Sequence, residues 1–278
     1  MNPVYESAGA RLSFRDTGAG IPVVFLHPTP LDHDYWRPLV DNLAGVRAII
    51  PDLRGHGASE LGDNLPVGGF ARVPDAPVLN MAQLAADVIA LLDHLQIQEA
   101  VFVGCSIGGY ALLELWRQAP QRMQGLAFVC SKPQPDAEPN LAKRAENINK
   151  AHSEGVAALF DGMAQSLIGA TARKRLPKIV GELRAHMTLT PQAFVAVQAG
   201  LAARPNSLPI VATIQSPVLS IAGGEDTAIT PAEMEAFISS PGGCESHILP
   251  DAGHFAAYEQ PQKVAALLAE WMRHLGLE

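Results

Sequence analysis

The sequence predicts an α/β protein in which a mostly parallel, twisted sheet is flanked by helices and interrupted once by a helical insertion. Three observations carry this. Short, uninterrupted apolar runs such as Pro22-Val23-Val24-Phe25-Leu26 and Val101-Phe102-Val103 have the pattern of strands covered on both faces. They alternate with segments whose apolar residues recur at helical spacing, as expected of parallel strands joined by crossover helices. The strand pattern stops at Ser131 and resumes only at Pro217, with helical candidates between. The expected division is a sheet-bearing core of residues 1–130 and 215–278 and a helical cap of residues 131–214.

Taken in order, residues 3–7 and 10–16 read as a hairpin at a sheet edge, and residues 22–27 as a central strand. A helix over 34–43 and a strand over 46–51 follow, then a Gly- and Pro-rich loop reaching Leu79, long enough to suggest that it lines a site. The helix over 81–95 has Asn80 as N-cap and Gln83 placed for a capping box. Residues 101–104 form the next strand, with a helix directly behind it, and residues 125–130 another. The cap contributes candidate helices at 141–152, 156–167, 173–186 and 191–203. A strand at 217–221, a helix opened by the capping box Thr230-Pro231-x-Glu233, a strand at 246–250 and an amphipathic helix over 261–275 complete the chain.

Composition narrows the function. The chain has 278 residues, 48% of them hydrophobic, which suffices for a large core. Twenty Lys and Arg against 28 Asp and Glu give a net charge of −8, which opposes binding to nucleic acid or anionic membranes. No apolar run approaches the roughly 18 residues of a membrane span, and the start lacks a basic, apolar leader. The expectation is a cytoplasmic protein. The segment 131–214 holds ten Lys and Arg against six Asp and Glu, net +4, leaving −12 on the rest. These opposite charges read first as docking complementarity and second as attraction of an anionic substrate. Cys105, Cys130 and Cys244 cannot all pair and are expected as buried free thiols.

The chemistry centres on Gly104-Cys105-Ser106-Ile107-Gly108, where strand, sharp turn and helix meet. Glycines two residues either side let the turn close, and the corner exposes Ser106 at a helix start with free N–H groups. Asp226, in Gly224-Glu225-Asp226, and His254, in Ala252-Gly253-His254-Phe255, each also follow a strand. Parallel sheets gather ligands at the carboxyl ends of their strands, so the three side chains can converge. Glu225 is the alternative acid. In this sequence order, Ser, acid, His, the motifs resemble the α/β-hydrolase family, as does Asp52-Leu53-Arg54-Gly55-His56-Gly57, and the similarity runs from about Val23 to the end.

That resemblance implies Ser106 as nucleophile, His254 as its base and Asp226 as the group that orients and stabilises the imidazole. It also implies an oxyanion hole made by the N–H of Ile107 and by the loop after the first central strand. In His27-Pro28-Thr29-Pro30 only Thr29, of the last three, has an N–H, and Pro28 stands where the family usually has Gly. His27, Arg54 and His56 are expected to be structural. His33 with Asp32 and Asp34 fits a polar helix start better than a metal site, and neither metal nor cofactor is expected. Cys105 should face the core. Trp36, Met163, Met187, Phe194 and Phe255 are candidates for an apolar pocket.

The expected activity is hydrolysis of carboxylic esters or lactones through an acyl-enzyme, with a small-molecule substrate and a homodimer left open. The subgroups it resembles are aryl-esterases, non-metal perhydrolases and enol-lactonases. Two alternatives remain: a carbon–carbon bond hydrolase of ring-cleavage products, and a small-molecule receptor that retains the triad. Ser106 argues against relatives of this fold that use an aspartate at the elbow.

Overall fold

The computed structural model describes residues 2–277. Eight strands form one sheet: β1 (Val4–Ser7), β2 (Ala10–Gly18), β3 (Ile21–Leu26), β4 (Val46–Pro51), β5 (Ala100–Cys105), β6 (Met123–Val129), β7 (Val218–Gly223) and β8 (Cys244–Leu249), in the order β1-β2-β4-β3-β5-β6-β7-β8. From β3 to β8 every pairing is parallel, while β1 and β2 form an antiparallel hairpin that pairs with β4 through β2. All six residues of β5 and of β7 are buried, as the unbroken apolar runs predict.

The helices of the first half are α1 (Arg37–Val40), α2 (Met81–His94) and α3 (Ile107–Gln118). The expected helix over 34–43 is a 3-10 turn at His33–Trp36 followed by the single turn of α1, because Pro38 cannot donate to a longer ladder. Asn80 caps α2 by accepting from the Gln83 N–H, but the Gln83 side chain turns to Asp87 rather than completing a capping box. The long loop before α2 carries its own antiparallel bridge, Val67 to Pro77.

Between β6 and β7 lie α4 (Glu138–Glu154), α5 (Ala157–Ser166), α6 (Ala170–Arg175), α7 (Ile179–Ala185), α8 (Pro191–Ala202) and α9 (Leu208–Val211). The expected helix over 173–186 is two helices, α6 and α7, because Pro177 interrupts it. Within this insertion α4 packs on α8 and α5 on α7, whereas α9 returns to α3. The remaining helices are α10 (Pro231–Met234), α11 (Ala256–Glu259) and α12 (Pro261–His274), and the Thr230–Glu233 capping box opens α10 as read from the sequence. No helix among the described residues is long and apolar enough to cross a membrane.

Candidate active site

β5 passes into α3 through one residue, Ser106, whose φ of +52° and ψ of −116° lie outside the ordinary backbone regions. Its neighbours make that corner possible. A Cβ on Gly104 would sit 2.6 Å from the carbonyl carbon of Gly108, and one on Gly108 would sit 2.2 Å from the Leu26 oxygen at the end of β3. The Ser131 hydroxyl, just beyond β6, donates to the Ser106 carbonyl at 3.0 Å and ties the corner to the next strand.

The loop after β7 presents Asp226. Its Oδ1 accepts from the N–H groups of Ala228 at 2.8 Å and Ile229 at 3.0 Å, which fixes the carboxylate, and its Oδ2 lies 2.8 Å from His254 Nδ1. A carboxylate only accepts, so Nδ1 carries the proton and Nε2 keeps its lone pair. His254 and Ser106 line one cavity of about 310 Å³. No hydrogen bond joins them among the described residues, and such bonds commonly tighten only when substrate is present. Glu225, the alternative acid, faces elsewhere: it accepts from the Thr171 N–H at 2.9 Å and the Thr171 hydroxyl at 2.5 Å, anchoring the start of α6.

The His254 loop is held by groups that sequence reasoning missed. The His254 N–H donates to the Leu167 carbonyl at the end of α5, at 2.8 Å. The buried Glu259 carboxylate accepts from Gly253 N–H at 2.8 Å, Gly169 N–H at 3.1 Å and Phe255 N–H at 3.2 Å. Burial pushes the Glu259 pKa up against the pull of those three donors. Gly169 and Gly253 meet so closely that a Cβ on Gly253 would lie 2.3 Å from the Gly169 nitrogen. The pair of glycines is the trace in sequence of this clamp, and Glu259, in a short helix five residues after His254, had no other signal.

The loop after β3, which also reaches the cavity, is fixed through two buried histidines. His27 Nε2 accepts from the Leu53 N–H at 2.9 Å, so its Nδ1 donates to the Pro28 carbonyl at 3.0 Å. His56 Nδ1 donates to the Arg54 carbonyl at 3.0 Å, so its Nε2 accepts the Thr29 hydroxyl at 2.9 Å. Burial lowers the pKa of both, that of His56 to about 3, and keeps them neutral. With its hydroxyl engaged, Thr29 has its N–H left to offer to the cavity it lines. Neither that N–H nor the Ile107 N–H at the start of α3 has an acceptor among the described residues. Arg54 is structural, reaching buried Asp87 through Nε at 2.8 Å and Nη2 at 2.7 Å.

Cys105 is fully buried, accepts from the Tyr35 hydroxyl at 3.3 Å, and has its thiol pKa pushed up by burial, so it is not placed as a nucleophile. Cys130 is likewise buried, but Cys244 is half-buried rather than buried. His33 bonds to Asp52, with Nδ1 at 2.6 Å from Oδ1, rather than to the Asp32 and Asp34 carboxylates, of which Asp34 Oδ2 stands 3.9 Å from its Nε2. The third member of that acidic group is His186, beyond α7: ligand atoms of Asp32, Asp34 and His186 lie within 4.8 Å of one another. Asp32 uses them as a latch, its Oδ1 capping the Asp34 N–H at 2.9 Å and its Oδ2 meeting His186 Nδ1 at 3.4 Å.

The apolar pocket read from the sequence is not the cavity observed. Of its candidates only Met163 lines it. Trp36, Phe194 and Phe255 are fully buried and Met187 nearly so. Trp36 packs on Phe25 at 5.4 Å, Phe255 on Tyr35 at 6.0 Å and Phe194 on Phe160 at 5.6 Å, which makes them core. The long loop of residues 52–79 contributes nothing to the lining among the described residues. The lining is mixed: Leu167, Leu201 and Ile229 join Met163 on its apolar part, and Tyr110, Lys132, Asp136, Arg144 and Gln198 make up a polar part. A signal existed in Asn140, Arg144 and Asn147, which recur at i, i+4, i+7 on one face of α4, but such a stripe ordinarily reads as a solvated face.

Residues 23–267 match the family described as Alpha/beta hydrolase family. Among curated proteins, the chain is 27% identical to the AB hydrolase superfamily protein YisY of Bacillus subtilis, over 94% of each chain. It is 25% identical to 3-oxoadipate enol-lactonase 1 of Acinetobacter baylyi, over 91% of this chain and 89% of the relative. Among solved structures, a thermophilic esterase from Thermogutta terrifontis with malate bound superposes with a TM-score of 0.87 at 28% identity, over 99% of this chain and 97% of the other. Est816, described as an N-acyl homoserine lactone degrading enzyme, gives a TM-score of 0.78 at 27% identity, over 96% and 99%.

Proposed function

Since this chain belongs to the alpha/beta hydrolase family, we propose that it hydrolyses carboxylic esters or lactones of small to medium size through an acyl-enzyme formed on Ser106. The observation that carries this is Ser106, set on a strained corner at a helix start, opening on the same cavity as a His254 whose Nδ1 is held by Asp226 at 2.8 Å. The esterase and lactonases among the similar proteins support the same bond type.

In the proposed reaction, Ser106 Oγ attacks the carbonyl carbon while His254 Nε2 takes its proton, and Asp226 stabilises the imidazolium that forms. The oxyanion is met by the N–H of Ile107 and by the N–H of Thr29. Collapse expels the alcohol, protonated by His254, and a water activated by the same imidazole releases the acid. In a lactone the departing alcohol stays attached to the acyl group. Ser106→Ala is expected to lower ester turnover by several orders of magnitude while leaving the fold unchanged, since its side chain makes no hydrogen bond among the described residues. Retention of more than about a tenth of the wild-type kcat overturns the assignment.

A further inference from the structure

The polar part of the cavity lining is built mainly from hydrogen-bond donors. Asp136, on the segment leading into α4, is its one carboxylate, and two guanidiniums take it: Arg204 Nη2 lies 2.7 Å from Oδ1, and Arg144 Nε reaches Oδ2. Side chains of both Asp136 and Arg204 are almost wholly buried. Two cations therefore share one anion, and a positive charge in a largely dehydrated place is left without a counter-ion.

The rest of that wall points the same way. Arg144 Nη1 donates to Gln198 Oε1 at 3.1 Å, and a guanidinium can only donate, so the Gln198 amide must turn its oxygen to Arg144 and keep Nε2 as a donor. Neither Arg144 Nη2, Gln198 Nε2 nor the Tyr110 hydroxyl has a protein partner among the described residues, and all three side chains line the cavity. Arg204 lies over the Tyr110 ring at 4.4 Å from its centroid and fixes the ring's position. Lys132 is nearby but already matched to Glu233 at 2.5 Å; Lys143 shares Glu146 with Lys150, but its side chain is exposed and its charge is met by solvent, so neither is the buried unmatched cation.

We infer that Arg144, Gln198 and Tyr110 form a subsite for a carboxylate on the substrate, so that the preferred esters or lactones carry a free acid group at the end remote from the scissile bond. A carboxylate supplies the missing negative charge, offers enough lone pairs for all three donors and matches the planar guanidinium. A cavity of about 310 Å³ shared by this wall, Ser106 and His254 has room for a short chain between the two groups. The position of the scissile bond rests on the hydrolase reading; the donor wall does not.

The test compares half-esters with neutral esters of equal acyl length: monomethyl succinate, glutarate and adipate against methyl butyrate, valerate and hexanoate. The wild-type kcat/KM should favour the half-ester by about ten-fold or more at one length at least, mostly through KM, a discrimination of the size a well-placed ion pair supplies. Arg144→Gln should lower kcat/KM for that half-ester at least ten-fold more than for its neutral partner, and Arg144→Lys should recover part of the preference. A neutral ester preferred at every length, or equal losses for both members of a pair, overturns the subsite. Calorimetric binding of glutarate and adipate to Ser106→Ala repeats the comparison without turnover. Binding that depends on Arg144, together with absent ester hydrolysis in the wild type, would refute the hydrolase reading and keep the subsite; absent binding with intact hydrolysis would do the reverse.

Discussion

A serine hydroxyl is a weak nucleophile at neutral pH, and what distinguishes Ser106 is its setting: a positive φ, free amides at the start of α3, and a histidine across the cavity whose tautomer Asp226 fixes. Glu259 acts one step further back, since its carboxylate gathers three N–H groups and so sets the path of the loop that carries His254. Glu259→Gln replaces one acceptor oxygen with a donor that faces those same N–H groups. Leaving a buried donor unmatched costs about 1–3 kcal/mol, so urea unfolding should show a loss of that order, and an unchanged midpoint would show that the clamp is not formed. The three residues of the proposed triad were legible because each follows a strand within a short run containing Gly. Glu259 was not, because an acid in a helical turn looks like any surface acid until burial and three bonds distinguish it. Glu225 and Asp226 show the limit most clearly: adjacent acids of equal chemistry, separated only by which way the loop turns each of them.

Among the elements, the central strands were readable from apolar runs, because strands buried on both faces, as β5 and β7 are, have a composition that little else shares, whereas the order of the strands across the sheet was not read from the sequence. The helices of the insertion were harder. Pro177 ended α6 and separated α7, a stop signal visible in the sequence but overridden by the apolar spacing around it. The insertion is joined to the sheet by the Gly169–Gly253 contact, by Thr171 on Glu225 and by His186 on Asp32. The last of these titrates. The hydrogen bond to Asp32 raises the His186 pKa; burial pushes Asp32 up, but its bonds to His186 and to the Asp34 N–H outweigh that and hold it low. A histidine whose folded pKa is raised contributes its full stabilisation below its unfolded value, near 6.5, and loses it as pH rises through the folded value. Protection of α7 amides from hydrogen exchange, corrected for the intrinsic rate, should therefore fall as pH rises from about 6 to 8. In His186→Ala that step should vanish, which separates it from the similar His33–Asp52 pair; a step that persists in the variant would show that His186 and Asp32 do not hold α7.

For the molecule as a whole, the parallel sheet brings loops from β3, β5, β7 and β8 to one end, and the helical insertion closes over them with a wall of opposite character. The sequence carried the net charge of that insertion, +4 against −12 elsewhere, but not which of its charges face the cavity, because that depends on how α4 and α8 pack after folding. An apolar pocket was expected from large side chains near the motifs; all of them but Met163 proved to be core that supports the loops. In the proposed division of labour the sheet loops supply chemistry and the insertion supplies choice. That division rests on a covalent acyl group on Ser106, which rapid mixing with p-nitrophenyl acetate followed by acid quench and peptide mass spectrometry would detect. A burst of p-nitrophenol approaching one per chain is expected wherever deacylation is the slower step, with an acetyl group on the peptide containing Ser106 that is absent from Ser106→Ala. Acetylation at another residue, or undiminished turnover by the variant, would contradict it.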